Sequence, residues 1–212
     1  MRRAAGGRGT TRARHLQFAA VPLHPAENRG YRELYLTGRQ LAQRWSKLAG
    51  ALPATAAEQP LRETAEAVRE MLLELEPLTA KQGLHGGFAA QGSGAGIGTA
   101  RAAVVDRFLE RNQAVRLAVA DLEQVMTLLA YLGNVSEGQG NAELAEFCRS
   151  WERRLVSNAN AVRRAAVELA SDPDAAIEPL DSSAVGRAAH GVAHAVGTAG
   201  EWIDRQAGRR GS

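Results

Sequence analysis

The sequence is poor in cysteine, lysine and aromatic residues, and each shortage closes off a class of protein. One cysteine, Cys148, stands among 212 residues, so no intramolecular disulfide can form, and a chain held together without cross-links suits a reducing compartment. The expected location is the cytoplasm. Lysine occurs only at Lys47 and Lys81; the remaining basic residues are arginine, a bias that the codon usage of a GC-rich bacterial genome produces on its own. Aromatic residues make up 5% of the chain, and Val, Ile, Tyr and Phe rarely alternate with polar residues as a half-buried strand requires. An all-α fold is the expectation. No uninterrupted apolar run is long enough to cross a bilayer, and no apolar stretch follows the Arg2-Arg3 pair as it would in an export signal. Neither membrane insertion nor secretion is therefore expected, and the sequon Asn134-Val135-Ser136 reads as loop chemistry, not as a glycosylation site.

What the chain does have is apolar surface and an uneven charge. Hydrophobic residues form 45% of it, enough for one domain with its own core. Arg2, Arg3, Arg8, Arg12 and Arg14 precede the first acid, Glu27, and Arg209 and Arg210 close the chain. Removing those seven arginines from the net charge of +3 leaves 3 − 7 = −4, so the ends are basic and the body is mildly acidic. Residues 1–24 lack apolar periodicity and read as a disordered basic arm; residues 207–212 form a basic tail.

Helical spacing organises the rest. Leu34, Leu41, Trp45, Leu48 and Leu52 fall on one face between Pro25 and Pro53, and Leu61, Ala65, Val68, Leu72 and Leu75 on another until Pro77, where the missing N–H predicts an end or a kink. These form a first hairpin over residues 25–82. Glycine repeats make residues 83–98 a linker. From Thr99 to Gly133, Val104, Phe108, Val115, Leu122, Val125, Leu129 and Leu132 keep the alternating three- and four-residue step, and Leu144, Cys148, Trp151, Leu155, Val162 and Leu169 keep it again. Residues 99–171 thus read as a long helix-loop-helix hairpin, with Thr99 as cap and Gly133 as stop. Residues 172–206 add a capped turn and a C-terminal amphipathic helix. The expected architecture is an antiparallel bundle of four main helices around the long hairpin, with the C-terminal helix packing on the bundle, where it could cover the part of the hairpin that the shorter first two helices leave bare.

Five features are candidates for chemistry. His190, His194 and Glu201 share a helical stripe, as zinc ligands could, but the opposite face is apolar and the stripe is expected to meet water. Residues Gly92 to Gly98, ahead of Thr99 and Arg101, could cradle a phosphate, yet the pattern matches neither a dinucleotide nor a Walker loop and reads as a hinge. Cys148 occupies a seam position and reads as a buried thiol. Arg111, Asn112 and Asn158 are expected near the middle of the hairpin as a polar layer that fixes register, or else lines a small pocket. The apolar seam itself, with Leu122, Val125 and Leu129, is the candidate association surface.

The expected function is that of a non-enzymatic structural or adaptor protein working through helical association, as a homo-oligomer or with a helical partner. The alternative is association with nucleic acid through Arg2, Arg3, Arg8, Arg12 and Arg14, and a second alternative is a bundle that binds a small ligand or a metal. No cofactor is expected.

Overall fold

The computed structural model describes residues 22–86, 109–181 and 183, and among them every regular element is helical. Helix α1 spans Pro25–Ala51, α2 Glu58–Ala80, α3 Arg111–Gly138 and α4 Ala142–Glu168; a 3-10 turn at Leu169–Ser171 leads into the single-turn helix α5, Pro173–Ala176. The two hairpins α1–α2 and α3–α4 pack together through α1 on α3 and α2 on α4. Glu27 at the start of α1 bonds to Ser136 near the end of α3, and Glu74 late in α2 bonds to Trp151 early in α4, so each neighbouring pair runs antiparallel. All the expected apolar positions of α1 and α2 are buried, around a core that includes the fully enclosed Trp45, Tyr31, Leu61, Met71, Leu122 and Leu129.

The long hairpin differs from its expected form at both ends. Within the described residues α3 begins at Arg111, and Thr99 lies outside them. Glu110 is extended, at φ −74° and ψ 156°, because it pairs with Pro179 in a two-residue antiparallel bridge. The Arg111 N–H donates to the Glu178 carbonyl at 3.0 Å and the Leu180 N–H to the Leu109 carbonyl at 2.9 Å. The overhang inferred from a helix starting at Thr99 is therefore absent over residues 109 and 110. The four long helices have 27, 23, 28 and 27 residues, or roughly 35 to 42 Å, and their lengths match.

At the other end, Gly133 does not stop α3, which continues to Gly138. Gly133 is where α4 comes close: a Cβ there would lie 3.5 Å from the Cys148 Cβ and 3.7 Å from the Ala145 carbonyl oxygen. Asn134, Val135 and Ser136 are consequently helical and not a loop, and the turn follows at residues 139–141, with Gly140 at φ +77°. Those separations are ordinary van der Waals contact, so Gly133→Ala fits without displacing α4. The substitution is expected to raise stability by about 0.5–1 kcal/mol through the lower backbone entropy of alanine in a helix, read as a higher denaturant midpoint at unchanged slope; a lower midpoint would contradict this packing.

Pro77 also leaves its helix intact. The carbonyl denied a partner belongs to Leu73, a residue 71% exposed, and α2 continues past it to Ala80. The turn expected after α4 is present: Asp172 Oδ1 accepts the Ala175 N–H at 3.0 Å, capping α5. Asp181 Oδ1 accepts the Ser183 N–H at 2.9 Å, and the C-terminal helix expected beyond lies outside the described residues. No helix of the described residues is long and apolar enough to cross a membrane.

Candidate functional site

A line of polar groups is buried where the start of α1 meets the α3–α4 turn. Both Glu27 and Ser136 are fully enclosed, and both continue the three- and four-residue step of otherwise apolar seams. The Glu27 carboxyl accepts three hydrogen bonds: Oε1 takes the Ser136 hydroxyl and an Asn141 amide proton, both at 2.8 Å, and Oε2 takes the His24 N–H at 3.0 Å. His24 completes a capping box, its Nδ1 accepting the Ala26 N–H at 3.1 Å. Because Ser136 spends its one proton on Glu27, the Tyr31 hydroxyl at 2.8 Å donates to Ser136, and the Cys148 thiol, at 3.5 Å, donates to Tyr31. The result is a directed relay from Cys148 through Tyr31 and Ser136 to Glu27.

The electrostatics suppress nucleophilic chemistry along that relay. Burial pushes the Cys148 thiol up to about 11, so the reactive thiolate is scarce near neutral pH. Burial likewise raises Tyr31, reinforced by the neighbouring thiol, and raises Tyr35, whose hydroxyl meets Thr79 Oγ1 at 2.8 Å. Every member has a partner, and the group joins α1, α3 and α4 by side chains more than a hundred residues apart in sequence.

The other candidate residues are scattered. Leu122, Val125 and Leu129, expected as an open association seam, are 0%, 2% and 0% exposed; α4 and α1 pack on α3 and close the seam. The polar layer is not formed. Arg111 and Asn112 lie in the first turn of α3, where Arg111 Nη1 meets Glu178 Oε2 at 2.7 Å and Asn112 Nδ2 donates to the Ala176 carbonyl at 2.9 Å. Asn158 instead reaches Thr64 Oγ1 of α2 at 3.3 Å. Within the described residues α3 opens at Arg111, which puts Arg111 and Asn112 at an end of the hairpin and not at its middle. His190, His194 and Glu201, the glycine segment, and Arg2, Arg3, Arg8, Arg12 and Arg14 lie outside the described residues. Among those described, no group of three His, Cys, Asp or Glu side chains is placed to hold a metal ion.

With the seam closed, what remains for contact is the outside. Helix α1 exposes Arg29, Glu33 and Lys47, α2 exposes Glu63, Glu66, Glu70 and Glu74, and α4 exposes Glu146, Arg153 and Arg164. On α4 the Arg154 guanidinium lies 4.3 Å from the centroid of the Trp151 ring and pairs with Glu70. Helix α3 is different. At 100° per residue, Leu117, Ala120, Gln124, Leu128, Tyr131 and Val135 share one stripe of it, none of them charged, beside the exposed Arg116, Glu123 and Glu137. Leu117 is 41% and Tyr131 49% exposed, Leu128 and Val135 are half-buried, and the stripe spans roughly 27 Å.

The chain matches no family model, no curated protein and no solved structure. Its geometry must supply the functional reading. The buried relay escaped the sequence reading, although Ser136, on the α3 seam four residues after Leu132, and Glu27, four before Tyr31 on the α1 seam, were its signals. The stripe on α3 is obscured in the sequence by the stronger apolar face of the same helix.

Proposed function

We propose that this chain is a non-enzymatic helical scaffold that acts by association, with the outward face of α3 as its contact surface. The observation that carries the reading is the uncharged stripe centred on Gln124: loss of charge with retention of leucine and tyrosine is the composition of an interface centre, and here it sits on a helix whose bundle partners all expose charge. The suppressed thiol and fully partnered hydroxyls of the buried relay support a structural role for that cluster and leave the outside as the working surface.

In extracts of cells expressing the full chain, the protein is expected to migrate above the 22.6 kDa of one copy. The double substitution Leu117→Glu with Tyr131→Glu is expected to return it to the monomer position at an unchanged melting temperature, since both side chains are already half in water. Identical migration of the two forms would overturn the reading.

Association with nucleic acid through the arginine arm is the weaker alternative. The described residues contain fifteen Lys and Arg against twenty Asp and Glu, so they offer phosphates no net attraction beside the arm.

A further inference from the structure

The chain leaves the described bundle beside the start of α3, and the sequence that follows carries an apolar stripe of its own. We propose that residues 184–206 form a helix that lies along α3 over Leu117, Gln124 and Tyr131, running in the same direction, and that a free partner must displace it. As a regulator of the contact surface it rests on the association reading above. These residues lie outside the described ones and enter by their sequence: Val185, Ala188, Val192, Val196, Ala199 and Ile203 keep a helical step of three and four residues. From Ala188 to Gly200 there is no Asp, Glu, Lys or Arg, so the middle of the segment suits a stripe that offers no charge to pair with. On that stripe Leu117 is 41% and Tyr131 49% exposed, and Ala120 and Gln124 are exposed as well.

The point of departure sets both place and direction. The Arg111 N–H bonds to the Glu178 carbonyl and the Leu180 N–H to the Leu109 carbonyl, so the segment sets out from the N-terminal end of α3 and, laid along that helix, runs parallel to it. Seven residues separate Glu178 from Val185, a reach of up to about 24 Å, whereas Leu117 is roughly 9 Å along the axis from Arg111. Asp181 Oδ1 accepts the Ser183 N–H at 2.9 Å, the bond that an N-cap makes to the second residue of a helix. Residues 87–108 also adjoin Leu109, but they are tied at their other end to Gly86, which lies against Tyr35 of α1; the C-terminal segment is tied at one end only. A tethered segment is present at an effective concentration in the millimolar range, so a face too narrow to hold a free partner tightly suffices for it. Gly186, Gly191, Gly197 and Gly200 each weaken the helix by about 1 kcal/mol relative to alanine. Packing therefore holds it, not propensity, and a partner that meets α3 displaces it at an affinity reduced in proportion to the fraction of chains whose stripe is open.

The test is disulfide trapping within the purified full chain at high dilution, where the native Cys148 is buried and does not compete. Parallel docking sets Tyr131 level with Ala199, each fourteen residues beyond Leu117 and Val185. Tyr131→Cys with Ala199→Cys is therefore expected to link within one chain about tenfold faster than Leu117→Cys with Ala199→Cys. Equal rates or the reverse order would overturn the docking. Val192→Glu with Val196→Glu should release the segment, abolish that difference in rate and strengthen association in extracts by about threefold or more. Association that weakens instead would overturn the regulatory role, because the segment would then belong to the contact. Failed trapping, with migration in extracts still sensitive to Leu117→Glu and Tyr131→Glu, would overturn the docking and leave the association reading standing. Trapping at the expected rates, with migration insensitive to those two changes, would overturn the association reading and the regulation with it, and leave the docking.

Discussion

Glu27→Ala is expected to cost about 3 kcal/mol, because it strands the enclosed Ser136 hydroxyl and releases two further donors where α1, α3 and α4 meet. The Ser136 hydroxyl, the Asn141 amide and the His24 N–H all lose their acceptor. Ser136 is fully enclosed, so water cannot replace the carboxyl without opening the core, and an unsatisfied buried donor costs about 1–3 kcal/mol. The same change removes half of the capping box, worth about 1 kcal/mol. The measurement is chemical unfolding, in which the midpoint should fall at unchanged slope. Glu27→Gln, which keeps the shape and one acceptor, should lose less. Pairing Glu27→Ala with Ser136→Ala should give a coupling of about 1 kcal/mol or more, since the second change removes a group the first has stranded. A loss below about 1 kcal/mol for Glu27→Ala would show that the relay is solvated.

The second large effect is expected in alkali. The Cys148 thiol ordinarily ionises near 9.0 and is pushed up to about 11 by burial. The folded state therefore holds its proton more tightly than the unfolded chain does. The stability so gained is complete below pH 9 and is lost as pH rises from 9 towards 11, with a total of about 2–3 kcal/mol. Tyr31 is raised in the same sense, so its contribution begins to fail above its ordinary value of 10.0 and adds to the decline. Denaturant midpoints between pH 8 and 11 should fall, and Cys148→Ser should flatten the first part of that fall because a serine hydroxyl does not ionise in this range. Parallel curves for the two proteins would refute the assignment. At neutral pH, thiol reagents should label Cys148 only as fast as the bundle opens.

The parts of the fold that were legible in the sequence are those decided locally. The apolar step of three and four residues placed α1 between Pro25 and Pro53, and placed α4 with Leu144, Cys148, Trp151 and Leu155 inward. What was misread depends on contacts distant in the chain. Nothing near Glu110 says that it will be extended; Pro179, sixty-nine residues on, decides that through the bridge. Glycine at 133 signals a helix stop and a close helix approach with equal force, and only the position of Cys148 and Ala145 on α4 separates them. The site was hidden for a related reason. A polar residue on a seam, such as Glu27, looks like a break in the pattern until its partners arrive from other helices, and an outward stripe is noticed only after the inward one is known to be covered.

The bridge between Glu110 and Pro179 also makes α3 and α4 a cassette. Leu109 and Leu180 meet at one spot, with two backbone hydrogen bonds closing the loop. A unit whose ends meet can be lengthened, exchanged or inserted elsewhere without altering the path of the flanking chain. A pull applied between Leu109 and Leu180 would load the bridge first and reach the helices only after it parted.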